Sequence, residues 1–450
     1  MLYQTKVLVD DSKKPYLFTH WDLTLLSINY SQRRLLFPLP KQDDFSIDTL
    51  LQSLKDSLAE TLTIFYPLAG QLVTTVFEDE HRCTVHIDCN KGQGARFIHA
   101  SLDDVTVSDI LCSAHEPSVV HSLFDLSNGE VSYDGHTSPN LSIQVTELSD
   151  GLFIGFSMNH VICDATSFWH FWNVWSEIQR ANGKPVSISN LPVYERWYPD
   201  GYGPNDVFLP FIHPDEFISR YNPPQLLKEK LFRFGLKEIQ KLKSKANEHI
   251  HDPNNKISSF QAVAAFLWKC IIRANGLTPE KATHCSLAAN NRSRVSPPLP
   301  PNYFGNSVNT ILTTTTVGEL LELSLGQVGE LLNKSVRNYT AKVVYDNTLK
   351  WYKSPCVNRF GALADSGVND IVLIASSPRL DMYGNEFVGL GKPIAVRSGC
   401  GNKLPGLVTA YAGNQGPGSM DFEICLTADC MNNLESDVEF MDFASSYGSC

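Results

Sequence analysis

The stretch from residue 141 to residue 178 constrains this chain most. Leu141-Ser-Ile-Gln-Val-Thr-Glu-Leu148 alternates apolar and polar residues, the pattern of a half-buried strand. Ser149-Asp150-Gly151 is a hairpin turn. Residues 152–158 form a short apolar run, which reads as a buried strand. After it, large apolar residues recur at helical spacing: Phe168, Phe171, Trp172, Trp175 and Ile178. That spacing predicts a helix to about Arg180.

His160 and Asp164 fall on the short turn between strand and helix, a rigid place to present a side chain. An imidazole there works near neutral pH, because its ordinary pKa lies close by. It can take a proton from a hydroxyl or amine within hydrogen-bond reach. Asp164 has a simpler role as the helix N-cap. A lone His-x-x-x-Asp is a weak pattern, and a structural histidine beside a cap is the readier explanation of it.

The rest of the chain supplies more strands and helices. Residues 1 to about 45 look extended, with alternation over 5–9 and a polar segment after it. Ser46 caps a helix to about Phe65, whose apolar face is Ile47, Leu50, Leu51, Leu54, Leu58 and Leu62. Residues 72–77 and 83–88 read as strands joined by an acidic turn, and 95–100 as another. Eight prolines crowd the span from Gly183 to Pro224 and exclude regular helix. We read residues 185–224 as a crossover linker between domains at 1–184 and 225–450. Its aromatics (Trp197, Tyr198, Phe208, Phe211) suggest a packed path. In the second half 231–235, 286–289, 310–317, 371–375, 407–411 and 419–426 read as strands. Helices are expected at 236–246, 260–274, over much of 317–345, and from Met431 on. Mixed strands with flanking helices make each half α/β or α+β.

At 450 residues two domains are the ordinary expectation. A net charge of −11 argues against nucleic acid, which needs a basic face. No apolar run approaches a membrane span, and the first residues lack the apolar core of a signal peptide. The eleven cysteines show no Cys-x-x-Cys spacing and read as reduced thiols of the cytosol. His249 and His251 sit beside Asp252 in a polar loop and read as solvated, so no metal site is expected.

Four segments together carry more than any one of them. The turn at His160 and Asp164 resembles the His-x-x-x-Asp signature of the plant BAHD acyltransferases. Tyr66-Pro-Leu-Ala-Gly70 is similar to that family's N-terminal element. Asn291-Arg-Ser-Arg-Val-Ser-Pro-Pro-Leu-Pro-Pro-Asn-Tyr-Phe-Gly-Asn306 resembles its Arg-x-Arg, Pro-Pro-Leu-Pro and Tyr-Phe-Gly-Asn segment. Asn385-Glu-Phe-Val-Gly-Leu-Gly-Lys-Pro393 resembles its Asp-Phe-Gly-Trp-Gly-Lys-Pro segment. Order and spacing agree over nearly the whole chain.

The resemblance implies two chloramphenicol-acetyltransferase-like domains with mixed sheets and a solvent channel at their interface. The signature histidine stands mid-channel. It implies transfer of an acyl group from acyl-CoA to a small-molecule alcohol or amine by a cytoplasmic monomer without a permanent cofactor. His160 is then the general base of a direct transfer, with no covalent intermediate. Asp164 completes the catalytic set as its supporter, and Arg292 matches the family's partner for that aspartate. Ser376 and Asn306 are candidate donors to the tetrahedral intermediate, though a strand-end serine explains Ser376 as well. Lys256, Ser258 and Ser259 precede a helix and, by the resemblance, contact CoA; an ordinary cap is the alternative. Cys163 lies in a variable slot of the motif and ranks below His160 as a reacting group.

The chain departs from the family at Ala375-Ser376-Ser377, where Thr-Ser-Trp is common. It departs again at 386–393, with Glu386 for aspartate, Leu390 for tryptophan and Val388 as an extra residue. These changes keep two rivals in view. One is a lyase or cyclase acting on one substrate without CoA. The other is a binding protein with a dead site.

Overall fold

The structure is a computed structural model. It describes residues 2–5, 13–39, 45–92, 94–111, 118–184, 187–220, 227–252, 255–359 and 369–446. The expected linker limits at 185 and 224, and most of the alternation over 5–9, lie outside these residues.

In chain order the strands are β1 (Leu2–Thr5), β2 (Tyr16–Leu17), β3 (Ser31–Pro38), β4 (Gln71–Phe77), β5 (Arg82–Asp88), β6 (Ala95–Leu102), β7 (Leu141–Leu148) and β8 (Gly151–Met158). The second half adds β9 (Leu227–Phe234), β10 (Ala282–Asn290), β11 (Val308–Thr316), β12 (Ile371–Ser376), β13 (Ala395–Ser398), β14 (Leu407–Ala412), β15 (Met420–Thr427) and β16 (Ser445–Ser446). A six-stranded sheet has the order β1-β6-β7-β8-β3-β13, and a seven-stranded sheet β11-β10-β12-β14-β15-β9-β16. A small third sheet has the order β2-β5-β4.

The β7–β8 hairpin lies inside the first sheet, with Leu141 opposite Met158. Every residue of β8 is buried, because β3 covers its other edge and a helix covers its face. That helix is Ala165–Ala181. Asp164 caps it by accepting from the Ser167 N–H at 3.0 Å, and Asn182 ends it in the left-handed conformation. Its Phe171, Trp172, Trp175 and Ile178 enter the first core. Each ring buried this way contributes about 2–3 kcal/mol. Helix Ile47–Ile64 packs alongside, and Trp175 Nε1 donates to Ser57 Oγ at 3.0 Å. A second core forms around helix Ser259–Asn275.

Three expectations need correction. The first 45 residues are not all extended: His20–Leu23 is a short helix held by a Thr19–Asp22 capping box. The last long helix begins at Ala428, three residues before Met431. The strand β13 had no clear periodic signal, yet it pairs antiparallel with β3 in the first sheet. The second half of the chain therefore lends an edge strand to the first. A buried polar cluster ties that strand back to its own half. Glu423 on β15 accepts from Ser398 Oγ (2.9 Å), Lys403 Nζ (2.8 Å) and Tyr411 OH (2.7 Å), and Lys403 also pairs with Glu229.

The described part of the 185–224 stretch has only short 3₁₀ turns. It is fastened along its length. Val193 bridges Tyr303, Leu209 bridges Cys83, and Trp197 stacks on Trp21 with centroids 5.4 Å apart.

Candidate active site

From Asn159 to Asp164 every residue but one is at most 3% exposed; the exception is His160, which is half-buried. The turn is held from several directions. Asn159 Nδ2 donates to Asn140 Oδ1 at 3.0 Å, and Asn140 Nδ2 donates to the Gly70 carbonyl at 2.8 Å. Tyr16 OH donates to the Ile162 carbonyl at 3.1 Å. Arg292 grips Asp164 with two nitrogens, at 2.7 and 3.0 Å, both residues being buried. The same guanidinium reaches Ser167 Oγ and the carbonyls of Tyr303 and Gly305.

Asn306 does not serve as an oxyanion donor, contrary to expectation. Its Nδ2 donates to the carbonyls of His160 (2.9 Å) and Val161 (3.1 Å) and to Asp22 Oδ1 (3.0 Å). An amide has only two N–H donors, and these three buried acceptors already engage them. Asn306 is a positioning residue. Behind it stands Asp22, fully buried and paired with Arg196 from the 187–220 segment. Arg196 Nη1 also donates to Tyr16 OH (2.8 Å) and Tyr303 OH (2.9 Å). Gly305 leaves the room for it, since a Cβ there would lie 2.2 Å from Arg196 Nη1.

The His160 Nδ1 is buried without a hydrogen-bond partner among the described residues. Burial holds the ring pKa below its ordinary value, and the Arg33 cation adds to this. The His160 and Cys163 carbonyls and Asp164 act in the other direction. The net effect is a neutral imidazole near pH 7. Cys163 is buried against the core, and burial pushes its thiol well up, so it is no thiolate nucleophile.

Ser376 ends β12 with φ +66°, a left-handed conformation rare for serine, and its Oγ is buried without a partner. No hydrogen bond joins it to the turn among the described residues. Ser258 caps helix Ser259–Asn275: its Oγ accepts from Gln261 N, and its own N–H donates to Gln261 Oε1. Lys256 is exposed beside it. The altered 385–391 segment packs on the signature helix. Phe387 lies 4.7 Å from the Trp172 ring, and Gln179 bonds both the Val388 N–H and its carbonyl. No cluster of three or more His, Cys, Asp or Glu is placed to hold a metal among the described residues. No helix there is long and apolar enough to cross a membrane.

Tyr16, Asp22, Arg33 and Arg196 were not singled out from the sequence. Thr19-His-Trp-Asp22 has capping-box spacing, and that signal could have marked Asp22. The two arginines carry no local signal.

The sequence profile of the Transferase family matches residues 17–441. An uncharacterized acetyltransferase of Arabidopsis thaliana is 34% identical over 450 residues, spanning 98% of this chain and 97% of its own length. BAHD acyltransferase DCR of the same plant is 34% identical over 443 residues, spanning 95% and 89%. Among solved structures, TRI101 of F. graminearum, complexed with coenzyme A and deoxynivalenol, superposes with a TM-score of 0.76 at 19% identity. The overlap covers 97% of this chain and 100% of that one. It shows the same mixed α/β two-domain fold. With a family profile and relatives matched along nearly all of its length, the chain belongs to the Transferase family of BAHD acyltransferases.

Proposed function

We propose that this protein moves an acyl group from acyl-CoA to a hydroxyl or amine of a small plant metabolite in the cytosol, acting as a monomer. His160 is the general base. The observation that carries this reading is the contrast at the turn: five buried neighbours, and one half-buried imidazole kept neutral. As the acceptor oxygen or nitrogen attacks the thioester carbonyl, Nε2 takes its proton. The tetrahedral intermediate collapses, the C–S bond breaks, and the proton passes to the leaving thiolate to give free CoA. Holding both substrates together supplies the orientation that a covalent intermediate would otherwise provide.

Asp164 and Arg292 fix the turn, and Asn306 fixes its backbone. Ser376, with an unpartnered hydroxyl, is the donor we assign to the tetrahedral oxyanion. Lys256, Ser258 and Ser259, at a helix N-terminus, are where we place a CoA phosphate. The channel between the domains, the limits of those domains and the absence of a permanent cofactor belong to the same proposal.

The test pairs acetyl-, malonyl-, benzoyl- and hydroxycinnamoyl-CoA with a panel of alcohols and amines and follows thiol release. Release should require both donor and acceptor. His160→Ala should cut it on the order of 10²–10⁴-fold with an unchanged melting profile. Ordinary rates in that variant refute the base assignment. Product from one compound without CoA makes the chain a lyase or cyclase instead.

A further inference from the structure

Several charges of this region pair off. Asp164 meets Arg292, Asp22 meets Arg196, and Glu423 meets Lys403. Arg33 has no such partner. It lies on β3, which runs antiparallel to β8 with Ser31 opposite Met158 and Arg33 opposite Phe156. His160 follows two residues after Met158. Strand alternation puts Arg33 on the face of Leu35 and Phe37, which enter the core beneath the signature helix, while Leu36 enters a different cluster. The side chain is half-buried. Its hydrogen bond is from Nη1 to the Gln32 carbonyl, at 2.6 Å. Among the described residues no carboxylate comes within ion-pair distance of it. Across the other edge of β3, Arg33 lies opposite Ser398 of β13, and its charge acts on His160, on Cys163 and on Tyr411 of β14.

A guanidinium offers five N–H donors in a planar fork, and a backbone carbonyl occupies one of them here. Taking the rest out of water without a counter-charge is costly. A carboxylate arriving with a substrate supplies that charge and fits the fork with two parallel bonds. A neutral hydroxyl does neither. We propose that Arg33 is the docking point for a carboxylate carried by one of the two substrates, either the acceptor or the acyl donor. The identity of those two substrates rests on the acyl-transfer reading; the carboxylate site can be tested without turnover.

The probes are two matched pairs differing in one carboxylate: malonyl-CoA with acetyl-CoA, and 3-hydroxybenzoate with 3-hydroxybenzyl alcohol. Calorimetry measures each compound on the wild-type protein, Arg33→Gln and Arg33→Lys. In one pair the carboxylate should bind on the order of 10- to 100-fold tighter than its neutral match, the range for a charge-assisted pair. The pair showing the margin names its source. Arg33→Gln should narrow that margin below about threefold, and Arg33→Lys should keep part of it, having the charge without the fork. Should the glutamine variant fail to fold, an unchanged margin in the lysine variant overturns the site. So does the absence of a margin in either pair, or its survival in Arg33→Gln. Equal losses for malonyl-CoA and acetyl-CoA also overturn it, since they indicate phosphate contact. Thiol release measured alongside separates the two claims: transfer without a margin removes the carboxylate site alone, and a margin without transfer removes the acyl-transfer reading alone.

Discussion

Arg292→Met is the sharpest test of how the His160–Asp164 turn is held. It leaves Asp164 buried with, among the described residues, only the Ser167 and Ser307 N–H groups as partners, at 3.0 and 3.1 Å. Stranding one member of a buried ion pair costs about 3–5 kcal/mol. Asp164→Asn should cost less, about 1.5–3 kcal/mol. Asparagine still caps the helix, and Arg292 keeps Ser167 Oγ and the carbonyls of Tyr303 and Gly305. The double variant should lie well short of the sum, because it removes both charges at once; a coupling of roughly 2–3 kcal/mol is expected. The assay is guanidinium unfolding of the four proteins, comparing the first transition, since a chain of two domains need not unfold in one step. Additivity within about 0.5 kcal/mol, or an arginine variant milder than the aspartate one, refutes the reasoning. The pair would then behave as a screened surface contact, and something else would hold the turn.

Two further outcomes follow from groups on the same side of the molecule. His20 is buried, and burial pulls its pKa down to about 3. Thr348 Oγ1 donates to the Val344 carbonyl, so His20 Nε2 gives its proton to that oxygen and the ring is neutral. The unfolded chain takes up a proton below about pH 6.5 and the folded one does not. Stability is therefore full above that pH and falls by up to about 1.4 kcal/mol per unit as pH drops toward 3. His20→Gln should lose about 2 kcal/mol less than wild type between pH 6.5 and 5 in paired denaturation curves; parallel losses refute it. Asn306→Ala strips donors from the His160 and Val161 carbonyls, each worth about 1–3 kcal/mol when left unpaired. It should lower kcat on the order of tenfold or more while leaving KM for the acyl-CoA nearly unchanged. A loss confined to KM would place Asn306 in substrate binding instead.

Periodicity revealed the elements whose packing is local. The β7–β8 hairpin, the helix after it and the Ser258 cap all follow from spacing within a few residues. Strand β13 did not show itself, because a four-residue strand has too few positions to establish a period, and its partner β3 lies some 360 residues earlier. The short helix at His20 was hidden for a similar reason: four residues make little more than one turn, and its capping box was the one clue. In the site, Asp164 as a cap was legible from its place alone. Its pairing with Arg292 came from the family resemblance, since nothing in either residue's neighbourhood names the other. Asn306 was read as a donor to substrate from its place in the family-like Tyr-Phe-Gly-Asn segment. Only the fold shows its protons already engaged by two backbone carbonyls and Asp22.

Four weak sequence segments are strong together for a structural reason. Each one ends on the same strand–turn–helix. Gly70 accepts from Asn140, which orients Asn159 next to His160. Arg292 and Asn306, from one segment, hold the side chain of Asp164 and the backbone of His160. The segment from Asn385 packs Phe387 on Trp172 and bonds Gln179 farther along the signature helix. The grip weakens with distance from the ring: charge pairs and amide bonds at the turn, then packing and backbone bonds along the helix. Departures from the family pattern fall in two places. Those at 386–393 lie where a repacked side chain can be absorbed; those at 375–377 end β12, with no hydrogen bond to the turn among the described residues. His160, Asp164, Arg292 and Asn306 match the pattern. The position of one imidazole thus depends on contacts such as that between Asp22 and Asn306, 284 residues apart in sequence, so groups from both halves of the chain hold the turn.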